Sequence, residues 1–164
     1  MADQSVSRAD SDFISIYQRN FSRVYRLAYL KLGNRADAED AVQTVFLRFY
    51  RKGKVFADPE HEKAYFLRAV RNECTSILRS PWRSRQDSFE DLLAHEEPAA
   101  EDSAGELLAA LCALPEKYRE LLILFYDDGL TSREIAALLK RNESTVRSQL
   151  KTARELLKPL LLDE

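Results

Sequence analysis

"SREIAALLKRNESTVRSQLKTARELL", running from Ser132 to Leu157, sets basic side chains and hydroxyls against a recurring pattern of aliphatic residues. Thr131 and Glu134 have capping-box spacing for a short helix reaching about Leu139, with Ile135, Ala136 and Leu139 turned inward. Lys140-Arg141-Asn142 reads as a tight turn, and Asn142 stands where it can cap a second helix. In that helix Val146, Leu150, Ala153 and Leu157 recur at four, three and four residues, which gives a narrow buried stripe. Two helices joined so tightly have helix-turn-helix spacing.

Opposite the stripe the helical wheel places Ser144, Ser148 and Lys151, with Arg147 and Arg154 on one flank and Thr145 and Thr152 on the other. Such a helix enters a major groove N-terminus first, so its early residues meet base edges and its later cations meet phosphate. Ser144, Arg147, Ser148 and Lys151 are then the base readers, and Arg154 and Lys158 the backbone clamps. Ser132 to Lys158 holds seven cations against three acids, a surplus where phosphate would lie. Glu155 shares the face, at the point where the helix leaves the groove. The plainer alternative is a helical hairpin with a charged surface.

Working outward, Leu107, Leu108, Leu111 and Leu114 form an apolar helix, and Pro115 opens another with Tyr118, Leu121, Leu122 and Phe125 that Asp127-Asp128-Gly129 breaks. Before them lies "SPWRSRQDSFEDLLAHEEPAAEDSAGE", residues 80–106, with two Lys+Arg against eight Asp+Glu and two prolines. It lacks a sustained helical stripe and reads as a flexible tether between two bodies. Residues 1–79 carry 14 Lys+Arg against 10 Asp+Glu, and residues 107–164 nine against nine, so the net charge of −2 hides an uneven distribution.

The first body reads as helices throughout. Phe13, Ile16, Tyr17, Phe21, Val24 and Ala28 mark the first, stopped by Gly33-Asn34. A second runs from about Asp37 to Lys52, with Ala38, Ala41, Val42, Val45 and Phe49 inward and Gly53 as its terminus. Asp40, Gln43, Thr44 and Leu47 fall on its outer side. A lone exposed leucine is ordinary; with Asp40 and Gln43 a turn away it can instead anchor a protein interface. A third helix, about Glu62 to Arg79, buries Leu67, Val70, Cys74, Ile77 and Leu78, and Pro81 ends it. Its opposite face collects Tyr65, Arg68, Asn72, Ser76 and Arg79. Guanidinium groups track phosphate, a flat ring stacks on an unpaired base and an amide reads a base edge, so the mixture suits single-stranded nucleic acid. A solvated face around a partly buried tyrosine is the alternative. Phe56, in a loop with Arg51, Lys52 and Lys54 before it, favours the strand-binding reading.

The expected architecture is therefore all-α, with two small helical domains, residues 1–80 and 107–164, joined by an acidic linker at 81–106. The 164 residues suffice for two small cores. No stretch approaches the apolar length of a membrane span and "MADQSVSRADSDF" lacks the apolar centre of a signal peptide, so a cytoplasmic protein without direct membrane insertion is expected. Cys74 and Cys112 are far apart, and His61 and His95 are isolated, which indicates no metal site, disulfide framework or catalytic group. Neither a cofactor nor a small-molecule substrate is expected.

Taken in order, these segments resemble the extracytoplasmic-function sigma factors of the sigma-70 family, promoter-specificity subunits of bacterial RNA polymerase. "DAEDAVQTVFLRFY" is similar to the segment that docks on a coiled coil of the largest polymerase subunit, which implies core-polymerase binding by Asp40, Gln43, Thr44 and Leu47. "KAYFLRAVRNECTSILR" resembles the helix that opens and reads the minus-10 element, with Asn72 and Arg79 in matching places. "LPEKYRELLILFYDDGLTSREIAALL" together with "STVRSQLKTAR" resembles the minus-35-binding domain. The resemblance implies a sigma-2-like and a sigma-4-like domain, core polymerase and promoter DNA as partners, and an anti-sigma factor, frequently membrane-anchored.

Tyr65 and Ser76 stand where the family usually has Trp and often Asp. Lys140 and Arg141 stand where Gly and an aliphatic residue are common at the turn. A lysine at positive φ costs on the order of 1 kcal/mol relative to glycine. The expected function is promoter recognition, DNA melting and transcription initiation, not enzymatic catalysis. Two other readings stay open: a stand-alone helix-turn-helix regulator with a palindromic operator, and a sigma mimic that titrates an anti-sigma factor without touching DNA.

Overall fold

The computed structural model describes residues 8–80 and 102–162. By its internal contacts the chain divides into two compact units, Met1–Arg83 and Ser84–Glu164. Every regular element among the described residues is helical.

In the first unit three helices, α1 (Arg8–Leu32), α2 (Arg35–Lys52) and α3 (Pro59–Leu78), each pack on the other two. Phe13, Tyr17, Phe21, Tyr25 and Tyr29 recur at every fourth position of α1 and form a ladder with successive centroids 5.4–6.2 Å apart. The ladder's first rings lean on α2, Tyr17 on Phe46 at 4.7 Å and Phe13 on Phe49 and Tyr50. The core beneath is Val24, Leu27 and Ala28 of α1, Ala38, Ala41 and Val45 of α2, and Phe66, Leu67, Val70 and Cys74 of α3, all essentially buried. Burying one such large side chain contributes about 1.5–3 kcal/mol before entropy is subtracted.

Local chemistry sets the boundaries. Asn34 accepts the Asp37 N–H at 2.8 Å and donates its amide to the Asp37 carboxylate, which moves the start of α2 ahead of the expected Asp37. Gly53 closes α2 at φ 60°, where its N–H donates to the Phe49 carbonyl. Asp58 caps α3 and accepts the His61 N–H at 2.9 Å, with Pro59 at the first helical position; α3 thus begins three residues before the expected Glu62.

The inward stripe of α3 also differs from expectation. Leu78 is 42% exposed and Ile77 half-buried, while Phe66 and Glu62 are buried. Glu62 goes inward because it has partners there: it accepts two hydrogen bonds from Arg19 at 2.6 and 2.8 Å and one from the buried Asn20 amide at 2.7 Å. These bonds hold its carboxyl below the usual carboxylate range against the opposing effect of burial.

In the second unit α4 (Asp102–Ala113), α5 (Glu116–Leu122) and α6 (Ser132–Leu139) all pack against the long α7 (Glu143–Leu162). The expected tether spans 81–106, of which 81–101 lie outside the described residues. Residues 102–106 are helical, so α4 begins five residues before the expected Leu107; Gly105 inside a helix costs about 1 kcal/mol against alanine and blunts the sequence signal there. Leu107 is exposed at 44%, and Leu114 is the buried end of that apolar run. The helix α5 runs on as a π-helical turn, Ile123–Asp127, closed by Asp128 N–H to the Ile123 carbonyl at 3.0 Å.

The two helices quoted at the outset both form, Ser132–Leu139 and Glu143–Leu162, with Leu157 half-buried at the end of the expected stripe. Thr131 accepts the Glu134 N–H at 3.1 Å, Ile135, Ala136 and Leu139 are buried on α6, which packs on α7, and Val146, Leu150 and Ala153 are buried on α7. Lys140 takes the left-handed conformation, φ 55° and ψ 49°, with its own N–H and that of Arg141 both bonded to the Ala136 carbonyl, which is a left-handed helix closure. The turn therefore keeps its shape with lysine at the left-handed position and stores strain there. Lys140→Gly is expected to stabilise the second unit by about 1 kcal/mol, and Lys140→Val to destabilise it, as urea midpoints of the full chain. An unchanged or lower midpoint for Lys140→Gly contradicts the strain.

Among the described residues no helix is long and apolar enough to cross a membrane, and no group of His, Cys, Asp and Glu is placed to hold a metal ion.

Candidate functional site

Three outward faces carry the residues singled out in the sequence. On α2, Asp40, Gln43 and Leu47 are exposed, and Leu47 shows 53% of its surface. Thr44 is half-buried and spends its hydroxyl on the Asp40 carbonyl at 2.9 Å, which leaves it a smaller part of this face. The backing is rigid, because Ala41, Val42, Val45 and Phe46 on the other side of the same helix are all in the core.

The second face is built by α3 and the end of α2. Tyr65, Arg68 and Asn72 lie one turn apart and line a shallow cavity of about 210 Å³. Arg48 and Lys52 of α2 complete it, with Val45 and Ala69. Sequence reading gave Arg48 no place in the site and used Lys52 only as one of the cations before Phe56; their spacing of four residues on the flank of α2 nearest α3 was the available signal. Arg48 is held by Glu73 at 2.7 Å.

Tyr65 is half-buried instead of freely presented. Its ring sits among Phe49, Phe56 and Phe66 at 5.2–6.1 Å, and the Lys54 ammonium stands 4.7 Å from its centroid. A base can meet it only where that cluster leaves an edge or where Lys54 moves aside. Phe56 touches Tyr65 but lines a different, larger cavity of about 550 Å³ between the start of α1, the end of α2 and the loop after Gly53. Ser76 and Arg79 are exposed further along α3 and extend the polar ridge past the cavity.

The third face is α7. Ser144, Thr145, Arg147, Ser148, Lys151, Arg154 and Lys158 are exposed and Thr152 half-buried, its hydroxyl bonded to the Ser148 carbonyl. Behind them Val146, Leu150 and Ala153 show at most 2% of their surface, so the polar face is the one available to a ligand. Arg147 is poised: its Nη2 donates to Glu143 at 2.6 Å, and Ser132 of α6 donates to the same carboxylate oxygen at 3.4 Å. Arg141 donates to Gln149 at 3.1 Å. Glu143 and Gln149 were not among the sequence candidates; an acid in the first turn followed by Arg at i+4 is the pattern that marks the first of them.

With this geometry in place, comparison with known proteins gives a consistent result. Residues 16–84 match the family model of sigma-70 region 2, and residues 104–157 that of sigma-70 region 4. The chain is 32% identical over 155 residues to the ECF RNA polymerase sigma factor SigE of Mycolicibacterium smegmatis, covering 89% of this chain and 60% of that one. It is 29% identical over 143 residues to the RNA polymerase sigma factor SigV of Bacillus subtilis, covering 85% of each.

Among solved structures, the sigma factor RpoE of Bartonella quintana, in complex with the anti-sigma factor NepR, superposes with TM-score 0.72 at 23% identity over 93% of this chain and 99% of that one. CnrH, in complex with the cytosolic domain of CnrY, gives 0.67 at 22% over 99% and 96%. At these identities the structural likenesses bear on the fold alone. Two region models in their family order, together over most of the chain, show that it belongs to the sigma-70 family, and the match to an ECF sigma factor supports the extracytoplasmic-function group within it.

Proposed function

We propose that this chain is a promoter-specificity subunit of bacterial RNA polymerase, which docks on the core enzyme through Asp40, Gln43 and Leu47, reads duplex DNA with α7 and holds the melted minus-10 strand on α3. The observation that carries the reading is the α7 face: hydroxyls and cations from Ser144 to Lys158 stand exposed over a stripe buried against α5 and α6. A helical hairpin made only for stability needs no such segregation of charge. The polar ridge from Tyr65 to Arg79, widened by Arg48 and Lys52, supports strand capture, in which contacts to exposed bases offset a few kcal/mol of unstacking. Docking, groove reading and strand capture are binding steps, in which the chain makes and breaks no covalent bond. RpoE and CnrH are each seen bound to another protein, an anti-sigma factor in the first case, and a comparable inhibitor is the partner expected for this chain.

A stand-alone regulator has no use for the exposed α2 face or for the cationic groove on α3. The sigma mimic drew its strength from the altered turn, and Lys140 takes up the left-handed conformation that the turn needs.

The test is a footprint of the chain assembled with core polymerase. It should be asymmetric, with two separated protected elements; a palindromic footprint obtained without core enzyme contradicts the proposal. In the same assay Arg147→Ala should weaken upstream-element binding by about 1–2 kcal/mol, the lower part of the range for a bidentate base contact, because Arg147 exchanges Glu143 for the base. Equal loss on every sequence would recast Arg147 as a phosphate contact.

A further inference from the structure

Tyr126 belongs to none of the three faces. It is 61% exposed on the π-helical turn Ile123–Asp127, and single π turns recur at functional sites. Its ring meets Phe125 edge-on, with centroids 4.9 Å apart and planes at 78°. Its hydroxyl accepts a hydrogen bond from Arg154 Nη1 at 3.4 Å, and the Arg154 guanidinium carbon lies 6.0 Å from the Phe125 centroid. An aromatic pair on one element thus braces a cation on another, 28 residues further along the chain.

Arg154 follows Arg147 by two helical turns on the same flank of α7, about 10 Å along the axis at 1.5 Å per residue. The major groove is about 12 Å wide, so a helix that aims Arg147 at base edges brings Arg154 to the phosphates of the groove wall. Tyr126 stands beside it. Because its oxygen accepts from Arg154, its own O–H remains to donate, and the pair offers one charged and one neutral donor on the same side. A phosphate, with several acceptor oxygens, matches both.

We propose that Tyr126 is a DNA-backbone contact: its hydroxyl donates to a phosphate group that the Arg154 guanidinium also holds, while Phe125 supports the guanidinium. This rests on α7 being the recognition helix. The chemical class of ligand is a DNA phosphodiester, and the contact adds affinity without sequence preference.

The experiment uses the full chain assembled with core polymerase on a promoter fragment that the wild-type assembly selects from genomic DNA. Tyr126→Phe keeps the ring and removes the donor, and it should weaken binding roughly three- to tenfold, the worth of one hydrogen bond. The slope of log affinity against log salt should stay the same, since a neutral hydroxyl releases no counterion, whereas Arg154→Ala should lower its magnitude by about 0.9. On the Arg154→Ala background, Tyr126→Phe should cost less than it does alone, because the two share one phosphate. Wild-type binding by Tyr126→Phe, or a loss that adds in full to that of Arg154→Ala, overturns the contact. If the wild-type assembly selects no fragment at all, the recognition-helix reading fails and the contact with it; if wild type selects and Tyr126→Phe is indifferent, only the contact falls.

Discussion

Leu47→Asp should remove binding to core polymerase while leaving the fold intact. The side chain is 53% exposed, so a charge there costs the free protein little. In a docked interface the same aspartate would lose its hydration in an apolar pocket without a partner, and the anchor's own buried area would be lost as well. Interface anchors of this kind are worth about 2 kcal/mol or more, an affinity loss of roughly thirtyfold at least. Co-elution with core enzyme measures it, and circular dichroism checks that the Tm of the chain is unchanged. Retained affinity at native Tm would show that α2 does not carry the docking contact, whatever its neighbours do.

The second large effect is expected in the first unit's polar link. Glu62→Ala leaves the fully buried Asn20 without its carboxylate and takes the bidentate partner from Arg19. Breaking a fully buried pair costs about 3–5 kcal/mol. Arg19 keeps 55% of its side-chain surface in water, which reduces the figure to about 2–3 kcal/mol. Glu62→Gln, which keeps an acceptor for Asn20, should lose less.

The link also makes stability depend on pH with a definite sign. The folded-state carboxyl titrates below its ordinary value, 4.5, so its contribution is complete above that value and is lost as pH falls through the depressed one. Urea unfolding of the wild type should therefore weaken on acidification below pH 4.5 by more than that of Glu62→Gln. Parallel acid limbs for the two proteins would remove Glu62 from the account.

Much of this architecture was legible in the sequence because its determinants are local. Thr131 and Glu134 announce a helix start within four residues, and Val146, Leu150 and Ala153 announce a buried face within eight. The turn drew notice only through the resemblance, which has glycine where Lys140 stands, and its left-handed Lys140 keeps the turn's shape under strain. What escaped depends on partners far along the chain. Glu62 is drawn inward by Arg19 and Asn20, 43 and 42 residues earlier, and no helical period contains that information. Phe66 falls one position before Leu67, and it is buried because Phe46 and Phe49 of another helix meet it at 5.1 Å. Arg48 and Lys52 join the α3 groove from a neighbouring helix, and Tyr126, on a π turn, meets Arg154 from 28 residues away. Tyr65 kept its place on the outer ridge, but its ring is shared with an aromatic cluster that the sequence distributes over three separate segments.

The central claim, that these outward faces are shaped for RNA polymerase and its template, is tested most directly by run-off transcription from fragmented genomic DNA with purified bacterial core enzyme. Adding this chain should produce discrete transcripts from a small set of start points, and adding Leu47→Asp should produce none. If the wild-type chain yields no start point beyond those of core enzyme alone, the assignment of all three faces is wrong.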